Sequence, residues 1–169
     1  MVHAVSTVSG HVIDPRFAAV EDVFRENFSN GLESAGASFA VYHNGKLVVD
    51  LWGGYADREQ GTPWDKDTMS VLFSTTKSLA STILAMVLDQ QGVSYKIKVA
   101  EFWPEFAQNG KANISILNVV LHQAGLPYTD KTITRADVVD WKRMSKYFEE
   151  ATPVWIPKSQ SGYHALTFG

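Results

Sequence analysis

An Asn-Gly pair between two runs of apolar and β-branched residues is the strongest short-range signal for a two-residue hairpin. In this chain Asn44-Gly45 separates Ser38-Phe39-Ala40-Val41-Tyr42-His43 from Lys46-Leu47-Val48-Val49-Asp50-Leu51-Trp52. The pair commits the fold to an antiparallel sheet. A lone hairpin is marginal in water, and its open edges are templates for further pairing. Only these two strands are evident, so an edge of the hairpin is expected to stay open to another chain. With 169 residues, 45% of them hydrophobic, one core and a single domain over 1–169 are expected.

The remaining segments read mainly as helices. Asp14-Pro15 is a helix start, and Phe17, Val20, Phe24 and Phe28 follow at helical spacing up to Asn30-Gly31. Residues 53–67, rich in glycine and polar groups, read as a loop, with a short extended piece at 64–65 and 68–73. An apolar helix runs over 73–88 and stops at Gly92. Residues 93–110 look irregular, anchored by Phe102-Trp103-Pro104-Glu105-Phe106. Ser115 caps a short helix over 116–123, closed by Gly125 and Pro127. Thr134 and Asp137 form a capping box for one helix over 135–150. On it Val138, Trp141 and Tyr147 line one side, and Lys142, Arg143 and Lys146 form the solvated face. Residues 162–169 look like the first turns of another helix.

The chemistry centres on the apolar helix, which opens with Ser74-Thr75-Thr76-Lys77. Residues three apart share a helix face. A serine hydroxyl is a poor nucleophile until a neighbour takes its proton, and an amine does so only when burial or nearby cations favour its neutral form. The apolar residues behind Lys77 suggest such a desolvated setting, and free N–H groups at the helix start could face an oxyanion. On spacing alone, an N-cap serine followed by a solvated lysine is the better explanation of the pattern. The context must decide.

Composition narrows the alternatives. A net charge of −3 leaves no basic footprint for nucleic acid. With no cysteine there is no disulfide, thiolate nucleophile or zinc-thiolate site, and the five histidines show no metal-ligand spacing. No cofactor is implied, and no glycine-rich loop supports phosphate binding. The N-terminus lacks the pattern of a signal peptide, and no apolar run is long enough to span a bilayer. A soluble, cytoplasmic setting is the expectation. Repeats, low-complexity tracts and linkers are not evident.

Taken in order, several stretches resemble the serine β-lactamase and penicillin-binding-protein family, and within it the class C-type β-lactamase-related esterases. They are Leu51-Trp52-Gly53-Gly54-Tyr55-Ala56-Asp57, Phe73-Ser74-Thr75-Thr76-Lys77-Ser78, Phe102-Trp103-Pro104-Glu105-Phe106 and Leu121-His122-Gln123-Ala124-Gly125-Leu126-Pro127. Trp155-Ile156-Pro157 and Gly162-Tyr163-His164-Ala165-Leu166-Thr167-Phe168-Gly169 complete the set. The resemblance implies an α+β fold: an antiparallel sheet flanked by helices, plus a helical region. It implies hydrolysis of a small ester or amide through a Ser74 acyl-enzyme. Lys77 and Tyr163 would be the proton-transfer groups, with Tyr163 as a tyrosinate base beside the lysine. A phenol with an ordinary pKa of about 10 needs a neighbouring cation to ionise at working pH. His122 would belong to the family's structural His-x-x-Gly-Leu turn rather than to the chemistry.

There are also departures. Ala165 stands where relatives often carry Asn or Ser, so orientation of the serine and lysine must come from elsewhere. Pro157-Lys158-Ser159-Gln160 replaces a Pro-Gly-Thr turn, and without glycine a positive φ is disfavoured there. The family's third motif, on a C-terminal strand that supplies an oxyanion donor, has no counterpart; His43-Asn44-Gly45 matches it only as letters in a hairpin turn. Loss of one such donor costs about a hundred- to a thousandfold in rate. The expectation is a truncated domain with C-terminal strands missing and hydrolysis impaired. It would self-associate, pair with a missing C-terminal segment, or be unstable. Three readings compete: a β-lactamase-related serine hydrolase, a non-catalytic interaction or assembly module of that fold, and an unrelated α/β binding domain.

Overall fold

The structure, a computed structural model, describes residues 7–168. The chain divides into two compact units, one up to Val71 and one from Leu72 onwards.

The first unit is a four-stranded antiparallel sheet with one helix. Its elements are β1 (Val8–Val12), α1 (Ala19–Ser29), β2 (Gly36–His43), β3 (Lys46–Asp57) and β4 (Thr62–Pro63). Asn44 and Gly45 take φ of 51° and 75°, the left-handed pair that a type I′ turn requires, so the hairpin forms where the sequence puts it. Two expectations need correcting. The hairpin does not leave β3 at an edge, because β1 pairs with it from Val8 opposite Gly53 to Val12 opposite Val49. β3 also runs on to Asp57 through the stretch read as a loop, and β4 pairs with its end, whereas 68–72 form no strand. Gly53 and Gly54 are there for close approach: a Cβ on Gly53 would lie 2.8 Å from the Thr7 carbonyl, and one on Gly54 2.1 Å from that of Ala35.

The N-terminal helix signal holds with a change of form. Asp14 accepts from the Arg16 N–H and caps a 3-10 turn at Pro15–Phe17 before α1 proper begins. Val8, Phe24, Val48, Val49 and Leu51 make the buried core of this unit, and Phe17, Val20 and Phe28 pack around it. The α1 stripe is therefore core.

The second unit holds α2 (Thr76–Gln90), α3 (Ile116–Val120), α4 (Arg135–Val138) and α5 (Trp141–Glu150), joined by 3-10 turns at Phe73–Thr75, Val99–Glu101 and Pro104–Ala107. α2 ends in a Schellman motif. The Gly92 N–H donates to Asp89 (3.0 Å) and the Val93 N–H to Leu88 (2.9 Å), with Gly92 at φ 62°. Ser115 caps α3 as expected, and Asn118 reciprocates from the third position. The single helix expected over 135–150 is two. α4 stops after one turn, and Asp140 accepts from the Arg143 N–H to start α5. Arg143 is exposed, as expected, and it also pairs with the buried Asp137 at 2.8 Å and holds that carboxyl at about 2. Phe106, Ile114, Ala124, Leu126, Phe148 and Ala151 form the core here. Lys111 is fully buried beside it and caps the end of α5, donating to the carbonyls of Glu149 (3.0 Å) and Ala151.

No helix of the described residues is long and apolar enough to cross a membrane. Among those residues no group of His, Asp or Glu could hold a metal ion.

Candidate active site

Ser74, Lys77 and Tyr163 all lie in the second unit. Ser74 sits in the 3-10 turn that leads into α2, one position after Phe73, whose φ is +45°. A bulky side chain in that region is strained by roughly 1–3 kcal/mol, and such strain clusters at functional sites. Lys77 follows in the first turn of α2, so serine and lysine are one helical turn apart. Ser74 is exposed and Lys77 half-buried.

The Lys77 ammonium faces the Tyr163 ring, 5.8 Å from its centroid, and donates to the Ala165 carbonyl at 2.8 Å. Lysine and tyrosine are thus neighbours. Among the described residues no hydrogen bond links the Ser74 hydroxyl to either. The Ala165 carbonyl also answers the question raised by its side chain: a backbone oxygen, which any residue carries, orients the lysine. The expected desolvation of Lys77 by its helix is not found. Of α2 only Leu88 is buried, while Leu79, Ile83, Met86 and Val87 are exposed.

Tyr163 is not on a helix. Residues 162–164 are irregular and only a turn follows, because the backbone there bonds outwards to the loop after α3 rather than along itself. The Gly162 N–H donates to the His122 carbonyl (2.9 Å), the Val154 N–H to Gly125 (2.9 Å), and the Lys158 N–H to Gln123 (3.0 Å). Lys158 adopts φ +77° without being glycine, so the positive-φ turn survives the loss of the usual glycine at some cost in strain. The pairing of Trp155 with Gly162 is steric: a Cβ on Gly162 would meet the indole at 2.6 Å.

Two histidines lie beside the candidate residues, with His122 in the turn expected for it. Its ring lies 4.7 Å from the Tyr163 ring, and its Nδ1 accepts from the His164 N–H at 3.3 Å. Burial and then the Lys77 charge push the His122 pKa down. Burial, His122 and Lys77 do the same to His164. Both rings are therefore neutral at pH 7. Only the His-x-x-Gly-Leu letters could have drawn attention to His122, and those mark its turn rather than its neighbour.

The beta-lactamase family profile matches residues 24–169, most of the chain. The chain belongs to the beta-lactamase family. Among its relatives in that family is the esterase/beta-lactamase LipL of Mycobacterium tuberculosis, 40% identical over 92% of this chain and 36% of its own length. A penicillin-binding protein homolog from Caulobacter crescentus has the same fold, with a TM-score of 0.85 at 41% identity over 96% of this chain and 43% of that one. A family VIII carboxylesterase superposes with a TM-score of 0.83 at 37% identity, over 96% and 43%. The α+β fold is thus that of β-lactamases and penicillin-binding proteins. The chain spans about two fifths of the length of the relatives it matches.

Proposed function

We propose that this chain carries the acylation machinery of a serine esterase. Ser74 Oγ attacks the carbonyl carbon of an ester. Its proton passes to the Lys77–Tyr163 pair, and the tetrahedral oxyanion collapses with loss of the alkoxide, which takes up a proton as the alcohol. Water then adds to the acyl-serine, the Ser74–acyl bond breaks, and the carboxylic acid leaves. The observation that supports this most is the Lys77 ammonium, one helical turn from Ser74, held by Ala165 and turned to the Tyr163 ring. Esters are the first substrates to try because LipL and the carboxylesterase are named for that chemistry.

The test is hydrolysis of a short-chain p-nitrophenyl ester by the chain and its variants. Ser74→Ala should abolish enzyme-dependent release, while Lys77→Met and Tyr163→Phe should each lower it by about 10²–10⁴, the usual share of a general acid–base group. Equal rates in all three variants would reject the reading.

A second reading, an interaction module with impaired turnover, is favoured by the uncovered apolar surface. Besides the α2 face, Leu84, Trp103, Val119, Met144, Leu166 and Phe168 line an apolar cavity of about 380 Å³. The covering we propose is a C-terminal segment of the kind the longer relatives carry. Titration of the chain with such a segment from LipL should raise ester turnover if it docks there, and leave it unchanged if it does not.

A further inference from the structure

We infer that His122 is the positioning residue for Tyr163, and that it does this only while its ring is neutral. The inference rests on the esterase reading for its bearing on chemistry, but its geometry stands alone.

One residue grips the backbone on both sides of Tyr163. The His122 carbonyl accepts from the Gly162 N–H at 2.9 Å, and His122 Nδ1 accepts from the His164 N–H at 3.3 Å. Between these two bonds the imidazole packs against the Tyr163 ring, with 4.7 Å between centroids and 45° between planes. Phe168 closes the other side of the imidazole at 6.1 Å, edge-on. Tyr163 has no helix or strand to hold it, so these contacts replace regular structure.

The protonation state follows from the bond. An Nδ1 that accepts carries no proton, which assigns the neutral ring as the Nε2–H tautomer. Protonation would set Nδ1–H against the His164 N–H, donor to donor, and the grip on that side would be lost. It would also place a second cation near Lys77. The titratable and charged groups facing the ring are Lys77 from α2, and Tyr163 and His164 from the segment it holds. Burial and the Lys77 charge both disfavour the imidazolium. The clamp therefore holds at neutral pH and opens on acidification.

His122 also sits at φ +54°, a region that asparagine tolerates and most side chains avoid. This separates the variants. His122→Asn keeps the backbone conformation and an acceptor oxygen near the Nδ1 position, but cannot titrate. His122→Phe keeps a ring against Tyr163 and has no acceptor.

The experiment uses the full chain and reads two signals between pH 5 and 8. In the first, ¹⁵N NMR follows the imidazole while the Tyr163 ring resonances are recorded. The Tyr163 signals should move with the His122 titration, and that step should be lost in His122→Asn, which leaves only the shift due to the neighbouring His164. In the second, the rate of Ser74 adduct formation with a fluorophosphonate is measured. His122→Asn should lose the acidic fall and keep more of the pH 7.5 rate than His122→Phe, which should drop by about tenfold or more, the worth of one hydrogen bond. Tyr163 resonances indifferent to His122, or Asn and Phe variants that label alike, would overturn the inference. No labelling of the parent at any pH would reject the esterase reading, and the NMR titration would still decide the role of His122.

Discussion

The helix before the hairpin and the long helix after it treat their apolar faces in opposite ways. α1 is amphipathic and buries Phe24 against the sheet core of Val8, Val48, Val49 and Leu51. α2 is apolar nearly all round, yet among the described residues it buries only Leu88. The sheet unit satisfies itself: β3 is paired on both sides, by β1 and β2. The unit with the candidate chemistry instead carries Phe73, His122 and Lys158 at positive φ, and it holds Tyr163 by contacts to a distant loop. Each unit thus keeps a core of its own, and the strained bulky residues accompany the candidate chemistry.

That contrast is broken or sharpened by substitution. Leu51→Ala removes a fully buried side chain and should cost about 2–5 kcal/mol in denaturant unfolding. Ile83→Ala on the exposed face of α2 should change stability by no more than about 0.5 kcal/mol. A large cost at Ile83 would mean that something covers α2 in solution. An effect smaller than that of Leu51→Ala is expected at Lys111→Met, which keeps much of the volume but leaves the α5 carbonyls of Glu149 and Ala151 without their donor. Unpaired buried acceptors cost about 1–3 kcal/mol, measurable as a lower denaturation midpoint. Lys158→Gly should act in the opposite direction. Relief of the positive φ works against the added freedom of glycine in the unfolded chain, and a net gain below about 1 kcal/mol should follow. A loss would show that the Lys158 side chain contributes more than its backbone strain removes.

The sequence announced structure wherever the signal was local. Asn44-Gly45 specifies its own turn, and the Ser115, Thr134 and Gly92 signals specify helix ends, since each acts through backbone groups a few positions away. β1 escaped notice because Val8-Ser9-Gly10-His11-Val12 is short and half polar, and it becomes a strand only by pairing with β3. Gly53-Gly54 read as loop for a related reason: glycine marks close approach as well as flexibility, and the approaching backbone is not visible in the letters.

The candidate site divides in the same way. Ser74, Lys77 and Tyr163 were singled out from motif order, and the lysine and tyrosine do lie side by side. The Ala165 carbonyl that orients Lys77 belongs to the backbone and leaves no trace in residue type. The contact of His122 with Tyr163 joins residues far apart in sequence through a bond from a neighbouring N–H, which no spacing rule detects. The positive φ of Lys158 is maintained by its bond to Gln123, against the local preference of lysine.

The central claim is that Ser74 is an activated nucleophile in this chain. Intact mass after exposure to a fluorophosphonate, for the chain and for Ser74→Ala, with circular dichroism showing both folded, tests it most directly. A single adduct on the parent and none on the variant is expected. A folded parent with no adduct, or an adduct that survives Ser74→Ala, would contradict it.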